Sequence, residues 1–331
     1  MRALAGSAMR GVAIVFGVGL LWVGNLSLRA EEGADRASFW IDLSHAEPVT
    51  FEEMVEDLGE VDVVFLGETH RLKRHHRLQR EIVAALAETG RPLIVGLEQI
   101  ESGDQAGVDR FNSGELDFEG LVEVIEWEKQ WRGYENYRGL VEGVREAGGR
   151  VVGLNGPLEV IRAVGRGGVD GLSEEDRAGL PAEIFLDDPM YERLMGKLLM
   201  VHMSVDEDTL RPIFEAQASR DEAMAAALVG AIEEAKAAGK DGEARPLAVV
   251  VCGAGHCQYG LGTPDRVARR LGEGEAQMRI VLMSESGDLE LTDEERAMMR
   301  EMEISHRDLE FIDRPVADYL HAVEPKGEGA E

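Results

Sequence analysis

The sequence VDVVFLGETH, residues 61–70, decides the fold of this 331-residue chain. Residues 61–66 form a largely apolar run whose length and flanks are typical of a strand buried on both faces of a sheet. Gly67 permits a tight exit from the strand, and Glu68 and His70 follow just before a predicted helix over residues 73–89. The stretch therefore predicts two titratable side chains at the carboxyl end of a buried strand.

Three further stretches repeat this arrangement of an apolar run that ends in polar residues. Residues 92–97 end on Glu98, residues 150–154 end on Asn155, and residues 247–251 lead through a glycine-rich turn to His256. Long helical segments separate the four strands, which predicts that they are parallel, because an antiparallel return needs only a short turn. The pattern indicates an α/β fold: a mostly parallel central sheet flanked by helices, with large helical insertions near residues 100–148 and 158–240.

The carboxyl ends of parallel strands lie at one edge of the sheet, where open α/β sheets bind ligands. Glu68, His70, Glu98, Asn155 and His256 are therefore predicted to converge in one crevice. Two carboxylates and two imidazoles suit a divalent metal ion (Mn²⁺, Co²⁺, Fe²⁺ or Zn²⁺), which would activate a bound water. Without a metal, Glu68 or His70 would act as a general base, and a purely structural polar network is the remaining alternative.

The first thirty residues have the layout of a secretory signal peptide. Arg2 and Arg10 precede an uncharged segment over residues 11–28, and Ala30 follows as a small residue at a cleavage position. The apolar segment is also close to the length of a membrane span, so an uncleaved N-terminal anchor is the alternative. We expect export to the periplasm, a single domain over residues 31–323 and a disordered charged tail over residues 324–331.

The net charge of the chain is −29 at pH 7. Nucleic acids and anionic membranes are bound through Lys and Arg, so this charge disfavours both as partners. Cys252 and Cys257 are the only cysteines and flank the turn that carries His256. A disulfide between them and a metal-bound Cys257 are alternatives, but we expect free, buried thiols.

The sequence also predicts helices and strands outside the four buried strands. Residues 40–59 combine polar residues with a short helical pattern, and residues 279–283 predict another strand. Residues 309–313 and 318–323 are predicted as edge strands. Helices are predicted over residues 187–205, which include Tyr191 and His202, and over residues 211–238, in which Arg220 either reaches a carboxylate ligand or pairs with its neighbours.

Aromatic and histidine residues supply candidates for cofactor binding. The segment WRGYENY, residues 131–137, would line a pocket for a flat apolar ligand or form the core beneath the first insertion. His75 and His76 lie on the first turn of the helix over residues 73–89, where the positive end of the helix dipole favours neutral imidazoles that can act as ligands. Ordinary, partly exposed histidines are the alternative.

The order of several short motifs resembles that of the ChaN-like haem-binding family, within the wider Tiki and erythromycin-esterase-like superfamily. The motifs are GETH at 67–70, HHRLQ at 75–79, Glu98, WxxYxxY at 131–137, Asn155, QxxRDxxMA at 217–225 and GAGHxxYGxGxP at 253–264. Many members of the family are lipoproteins, and this chain departs from them by lacking a cysteine for acylation near the cleavage position.

The resemblance implies haem or iron uptake, an α/β fold with helical insertions, and haem held by tyrosine or histidine, with a homodimer and uptake machinery as partners. The candidate haem ligands are Tyr137, Tyr191, Tyr259, His75, His76 and His202. In the wider superfamily, the residues that match Glu68, His70, Glu98, Arg220 and His256 resemble a metal or hydrolytic centre.

Two functional hypotheses follow from the sequence. The first is an exported haem- or iron-binding protein, and the second is a divalent-metal-dependent hydrolase that uses the crevice at Glu68, His70, Glu98 and His256. Whether the chain is an enzyme is left open by the sequence.

Overall fold

The computed structural model describes residues 36–202, 207–239, 244–272, 274–289, 292 and 306–324. The segment predicted as a signal peptide and all but the first residue of the predicted tail lie outside these ranges. Among the helices that are described, none combines the length and the apolar character needed to cross a membrane.

One sheet is formed by eight strands in the described part of the chain: β1 (Ser38–Asp42), β2 (Glu47–Val49), β3 (Val63–Glu68), β4 (Leu93–Glu101), β5 (Arg150–Asn155), β6 (Leu247–Gly253), β7 (Met278–Met283) and β8 (Tyr319–Val323). Their order across the sheet is β2-β1-β8-β7-β3-β6-β4-β5. The six strands from β8 to β5 are parallel, and β1 pairs antiparallel with both β2 and β8. The predicted mostly parallel α/β fold is confirmed.

The helices that the structure describes are α1 (Phe51–Glu60), α2 (Lys73–Ala87), α3 (Gln105–Asn112), α4 (Phe118–Val124), α5 (Trp127–Gln130), α6 (Arg138–Glu146), α7 (Leu158–Gly167), α8 (Glu174–Ala178), α9 (Pro189–His202), α10 (Glu207–Ala238) and α11 (Thr263–Leu271). The α3–α6 segment forms the insertion between β4 and β5, and the α7–α10 segment forms the insertion between β5 and β6.

Alternate residues of β3 enter hydrophobic cores on opposite faces of the sheet. Val64 and Leu66 pack in the core that contains α2 and α6, whereas Val63 and Phe65 pack in the core that contains α10 and α11. Successive side chains of a strand point to opposite faces, so a strand covered on both sides needs apolar residues throughout. All four side chains are fully buried, which explains the apolar run at the start of VDVVFLGETH.

Side-chain amides cover the outer edge of β5, the last strand of the sheet. The Asn112 amide donates to the carbonyl oxygen of Val151 at 2.9 Å and accepts from its N–H at 3.0 Å. Gln105 accepts from the N–H of Gly153 at 2.9 Å. These contacts replace the hydrogen bonds of a further strand, and α3 therefore protects an edge that would otherwise be open to pairing.

Two expectations for the sheet were wrong or incomplete. Residues 309–313 are a turn that follows a short 3₁₀ helix at His306–Leu309, because Leu309, Phe311 and Ile312 pack against α9 and α10 rather than entering the sheet. The edge of β8 is already paired with β1, a strand that the mixed polar pattern of residues 40–59 did not reveal. Cys252 and Cys257 are free and buried, as expected.

Candidate functional site

Three adjacent strands place the crevice residues at one edge of the sheet. β3 lies between β7 and β6, and β6 lies between β3 and β4. Glu68 is level with Gly253 in the parallel register of β3 and β6, and a 3₁₀ turn at Ala254–His256 follows directly. The register of β4 against β5 shifts between Leu97 and Glu101, and Glu98 lies in this irregular stretch. Local irregularities of this kind re-aim side chains.

Glu98 is the centre of the crevice and is 1% exposed. Its Oε2 accepts a hydrogen bond of 2.7 Å from the backbone N–H of Gly253. Its Oε1 faces three nitrogen atoms: His256 Nε2 at 3.3 Å, Arg220 Nη1 at 3.8 Å and His70 Nε2 at 3.9 Å. Oε1 has no hydrogen-bond partner of its own in the described residues.

Glu68 holds the first imidazole. Its Oε1 accepts hydrogen bonds from His70 Nδ1 at 2.7 Å, from the Gln99 amide at 3.1 Å and from the hydroxyl of Tyr137. His76 Nε2 lies 3.5 Å from the second oxygen, Oε2. His70 therefore has one ring nitrogen fixed by a buried carboxylate, while its Nε2 faces Glu98 at a distance too long for a hydrogen bond.

Asp221 holds the second imidazole. Its Oδ1 lies 2.7 Å from His256 Nδ1 and also accepts from the hydroxyl of Thr263 at 2.8 Å. Its Oδ2 accepts from the hydroxyl of Tyr191 at 2.8 Å. The amide of Gln217, one helical turn before Asp221, lies 3.0 Å from the same imidazole nitrogen.

The charges of these groups are set by their neighbours. Burial lowers the pKa of His256, but the carboxylates of Glu98 and Asp221 outweigh it and raise the pKa to about 10. Burial also lowers the pKa of His70, but the carboxylates of Glu98 and Glu68 outweigh this effect and raise the pKa. Burial raises the pKa of Glu98, but the two imidazoles and Arg220 reverse this effect and hold it well below its usual range. At neutral pH His256 is therefore an imidazolium that faces two carboxylates.

The candidate haem ligands do not form a single site. Both ring nitrogens of His75 are occupied, because Nδ1 accepts from the N–H of Thr69 at 3.0 Å and Nε2 donates to the carbonyl oxygen of Ser284 at 3.2 Å. Tyr137 and Tyr191 are buried at opposite ends of the crevice, and burial together with a neighbouring carboxylate raises the pKa of each well above 10.

Two other candidates are placed differently. His76 is buried against the ring of Tyr137, with ring centroids 4.8 Å apart, and neither of its ring nitrogens has a hydrogen-bond partner in the described residues. Tyr259 is half-buried on the turn after β6, has a positive φ of 61°, and its pKa is raised by burial alone. The side chain of His202, at the end of α9, lies outside the described residues.

Sequence reasoning missed several residues of the crevice. Gln99 and Thr263 carried no signal beyond their positions next to predicted motifs, and Asp221 was noted only as the neighbour of Arg220. A signal was available for Asp221, since Gln217 and Asp221 have the i, i+4 spacing that places side chains on one helix face. Asn155 does reach the crevice, where its amide donates to the carbonyl oxygen of Glu98 at 2.9 Å.

The crevice is a poor fit for a divalent metal ion. No group of three or more His, Cys, Asp or Glu side chains among the described residues is arranged to hold one. The Arg220 guanidinium adds positive charge 3.8 Å from Glu98 Oε1, which opposes the binding of a divalent cation there. The predicted metal site at Glu68, His70, Glu98 and His256 thus finds no support in the described part of the chain.

The topology and the crevice together define a class: α/β proteins with a carboxylate–imidazole network at the carboxyl edge of a mostly parallel sheet. The family model described as haem-binding uptake, Tiki superfamily, ChaN matches residues 54–267, and the chain belongs to this family. The family resemblance of the sequence motifs is therefore confirmed.

Solved structures and a curated relative are also similar to this chain. ChaN of Campylobacter jejuni, described with cofacial haem binding, has a TM-score of 0.62 and 19% identity, covering 88% of this chain and 97% of that one. An erythromycin esterase, EreC, has a TM-score of 0.41 and 12% identity, covering 74% of this chain and 76% of that one. The chloroplastic protein RETICULATA-RELATED 5 of Arabidopsis thaliana is 26% identical over 80% of this chain, which spans only 34% of that protein.

Proposed function

We propose that this chain binds haem and serves in the uptake or handling of haem or iron. Membership of the haem-binding ChaN family supports this function. At 19% identity, the similarity to the Campylobacter jejuni protein supports the fold, and the transfer of haem binding to this chain is our inference.

The environment of His70 is the observation that carries the proposal. Histidines that bind a metal almost always donate their second ring N–H to a carboxylate or carbonyl group, which fixes the orientation of the ring. His70 Nδ1 is held by buried Glu68 at 2.7 Å, while its side chain remains 22% exposed and its Nε2 lies 3.9 Å from Glu98 Oε1, too far for a hydrogen bond. A haem iron would bind this Nε2 after it loses its proton.

An aromatic ring lies beside this nitrogen. Trp131 is half-buried and packs edge-on against His70, with ring centroids 4.9 Å apart. Tyr134, from the same segment, is half-buried at the adjoining core. A porphyrin is a flat apolar ligand, so an exposed imidazole next to an indole suits it better than an isolated imidazole would. Bound haem would supply an iron centre for storage or transfer.

Tyr259 is the alternative iron ligand. Its side chain is half-buried, whereas the hydroxyls of Tyr137 and Tyr191 are buried and donate to carboxylates. A tyrosine that binds iron must lose its proton, and both buried tyrosines lie beside a negative charge that opposes this loss.

Titration of hemin into the purified chain tests the proposal. We expect a saturable shift of the Soret band, with affinity reduced about tenfold or more in His70→Ala because the axial ligand is lost. His45→Ala, which removes an exposed histidine distant in sequence, is the matched control and should bind as wild type does. Tyr259→Phe decides between the two ligands. An unchanged Soret shift in the His70→Ala, Tyr259→Phe double variant would contradict the proposed site.

We further propose that the chain is exported to the periplasm and acts as a homodimer that exchanges haem with membrane uptake machinery. The signal-peptide pattern of residues 1–30 supports export, and the cofacial haem binding of the Campylobacter jejuni relative supports assembly around haem.

Hydrolysis without a metal is a second candidate function. It is favoured by Glu98 Oε1, a buried carboxylate oxygen that faces nitrogen atoms of three side chains at 3.3–3.9 Å yet has no hydrogen-bond partner among the described residues. A substrate oxygen or a water held there would meet donors that stabilise developing negative charge. Hydrolysis of p-nitrophenyl acetate that is lost in both Glu98→Gln and His256→Asn would support this function. Equal rates in wild type and both variants would count against it.

A further inference from the structure

The guanidinium of Arg220 has unused hydrogen-bond donors. Its partner of opposite charge among the described residues is Glu98, with 3.8 Å between Nη1 and Oε1, which is longer than a hydrogen bond. Its Nε is buried and has no hydrogen-bond partner there either. A guanidinium carries five N–H donors, and leaving them unpaired away from water is costly. The observation therefore points to a partner that the described residues do not supply.

Arg220 lies where solvent reaches the crevice. The side chains of Arg220 and His70 are 15% and 22% exposed, whereas that of His256 is 6% exposed and that of Glu98 is 1% exposed. A ligand entering from solvent would meet Arg220 and His70 first. Both carry a nitrogen atom within 4 Å of Glu98 Oε1, so the two side chains lie close to each other.

We propose that Arg220 binds a carboxylate group of the ligand at the mouth of the crevice. Arginine presents its N–H donors in a planar arrangement that matches the two oxygens of a carboxylate. Glu98, which faces Nη1, would orient the guanidinium group of Arg220. For haem this group would be a propionate, and that assignment alone rests on the proposed function.

The charges of the crevice favour a carboxylate over a phosphate. Three buried carboxylates, those of Glu68, Glu98 and Asp221, lie in the same network. All three would repel a doubly charged phosphate more strongly than a singly charged carboxylate. The competing explanation is that Arg220 only neutralises Glu98, and in that case a lysine would replace it without loss.

Propionate is the probe for the site itself. Its effect on melting temperature is measured against chloride at equal ionic strength in wild type, Arg220→Lys, Arg220→Gln and the control Arg211→Gln. Arg211 lies on the same helix, and its charge is paired with Glu192 and Glu215. We expect propionate at roughly ten times its dissociation constant to raise the melting temperature of wild type and of the control by about 3 °C. Neither Arg220 variant should respond.

Two results would overturn the site. One is the absence of a saturable effect of propionate on wild type, and the other is an equal effect in Arg220→Lys. Circular dichroism checks that the variants fold, and Arg220→Lys keeps the positive charge beside Glu98, so it remains informative if Arg220→Gln unfolds. Inorganic phosphate is the second probe, and stabilisation by phosphate greater than that by propionate would contradict the carboxylate assignment.

Hemin and its dimethyl ester test whether the carboxylate belongs to haem. We expect wild type to bind the ester about tenfold more weakly than hemin, and Arg220→Lys to bind both equally. Equal binding of both by wild type would overturn the propionate assignment. If wild type bound no hemin while propionate still stabilised it through Arg220, the proposed haem function would fail and the carboxylate site would stand.

Discussion

Each imidazole in the crevice is bonded to one carboxylate through Nδ1 and faces a shared carboxylate, Glu98, through Nε2. A buried charge is tolerated only when it is paired, and here each charge has an opposite neighbour. The arrangement explains how these carboxylates and imidazoles are accommodated at the end of a hydrophobic sheet. It also explains why removal of a single member would leave an uncompensated charge.

A buried histidine outside the crevice network should make the protein sensitive to acid. Burial lowers the pKa of His321 to about 4, and the positive charge of Arg74 contributes to this shift. The unfolded chain takes up the proton near the usual histidine pKa of 6.5, whereas the folded chain does so only near pH 4. The stabilisation from neutral His321 is therefore present above about pH 6.5 and is lost as pH falls to about 4.

The variant His321→Gln keeps an acceptor for Arg74, which lies 3.2 Å from His321 Nδ1, but does not titrate. Urea unfolding at pH 7, 6, 5 and 4 should show a smaller loss of stability in this variant than in wild type. His45→Gln removes an exposed histidine and serves as the control. Identical pH profiles for His321→Gln and wild type would show that another group causes the acid sensitivity.

The packing of β3 and β6 explains two glycines at the carboxyl edge. A Cβ on Gly67 would lie 2.4 Å from Leu282 Cδ2 and 2.8 Å from Cys257 Sγ. A Cβ on Gly253 would lie 2.9 Å from His70 Nε2. All three distances are shorter than Cβ atoms show in real structures, so a side chain at either position would have to displace its neighbours.

The variant Gly253→Ala should displace His70 while leaving most of the sheet intact. We expect a loss of about 1–3 kcal/mol in the free energy of unfolding and weaker hemin binding, because the methyl group collides with Nε2. Gly103→Ala is the matched control, since a Cβ there has nothing within 4 Å. Chemical denaturation and hemin titration measure both effects. Hemin affinity equal to that of wild type in Gly253→Ala would place the haem away from His70.

At the scale of the whole molecule, the two helical insertions complete the crevice. The first brings Tyr137 to Glu68, and the second brings Arg220, Asp221 and Tyr191 to His256 and Glu98. The strands and the turns that follow them therefore supply Glu68, His70, Glu98 and His256, while the insertions supply Asp221, the two tyrosines and the cation at the mouth.

Export is a prediction for the whole chain. If residues 1–30 are a cleaved signal peptide, the protein recovered from the periplasm should begin at Glu31, and intact-mass spectrometry would detect this. Replacement of Ala30 with a bulky residue should leave the uncleaved form associated with the membrane. Recovery of the intact chain from the cytoplasmic fraction would contradict export.

The sequence alone determined the parallel sheet and its reactive edge. Apolar runs of this kind are stable in water only as strands buried on both faces. Gly67, followed by Glu68 and His70, marks the end of one run, and the glycine-rich turn before His256 marks the end of another. The long segments between these strands were correctly predicted to be helical insertions. Residues 309–313 were not, because an apolar pattern shows that side chains are buried but not against which element.

Only the tertiary structure decided which side chains meet. Contacts between segments far apart in the chain bring Asp221, Gln99 and Thr263 into the crevice. Two hydrogen bonds to the backbone occupy both ring nitrogens of His75, so it is not available as a ligand. The donors left unused on Arg220 also depend on the whole fold. Local patterns specify strands, helices and their ends, whereas the partners of a polar atom depend on the relative placement of elements, which no local pattern records.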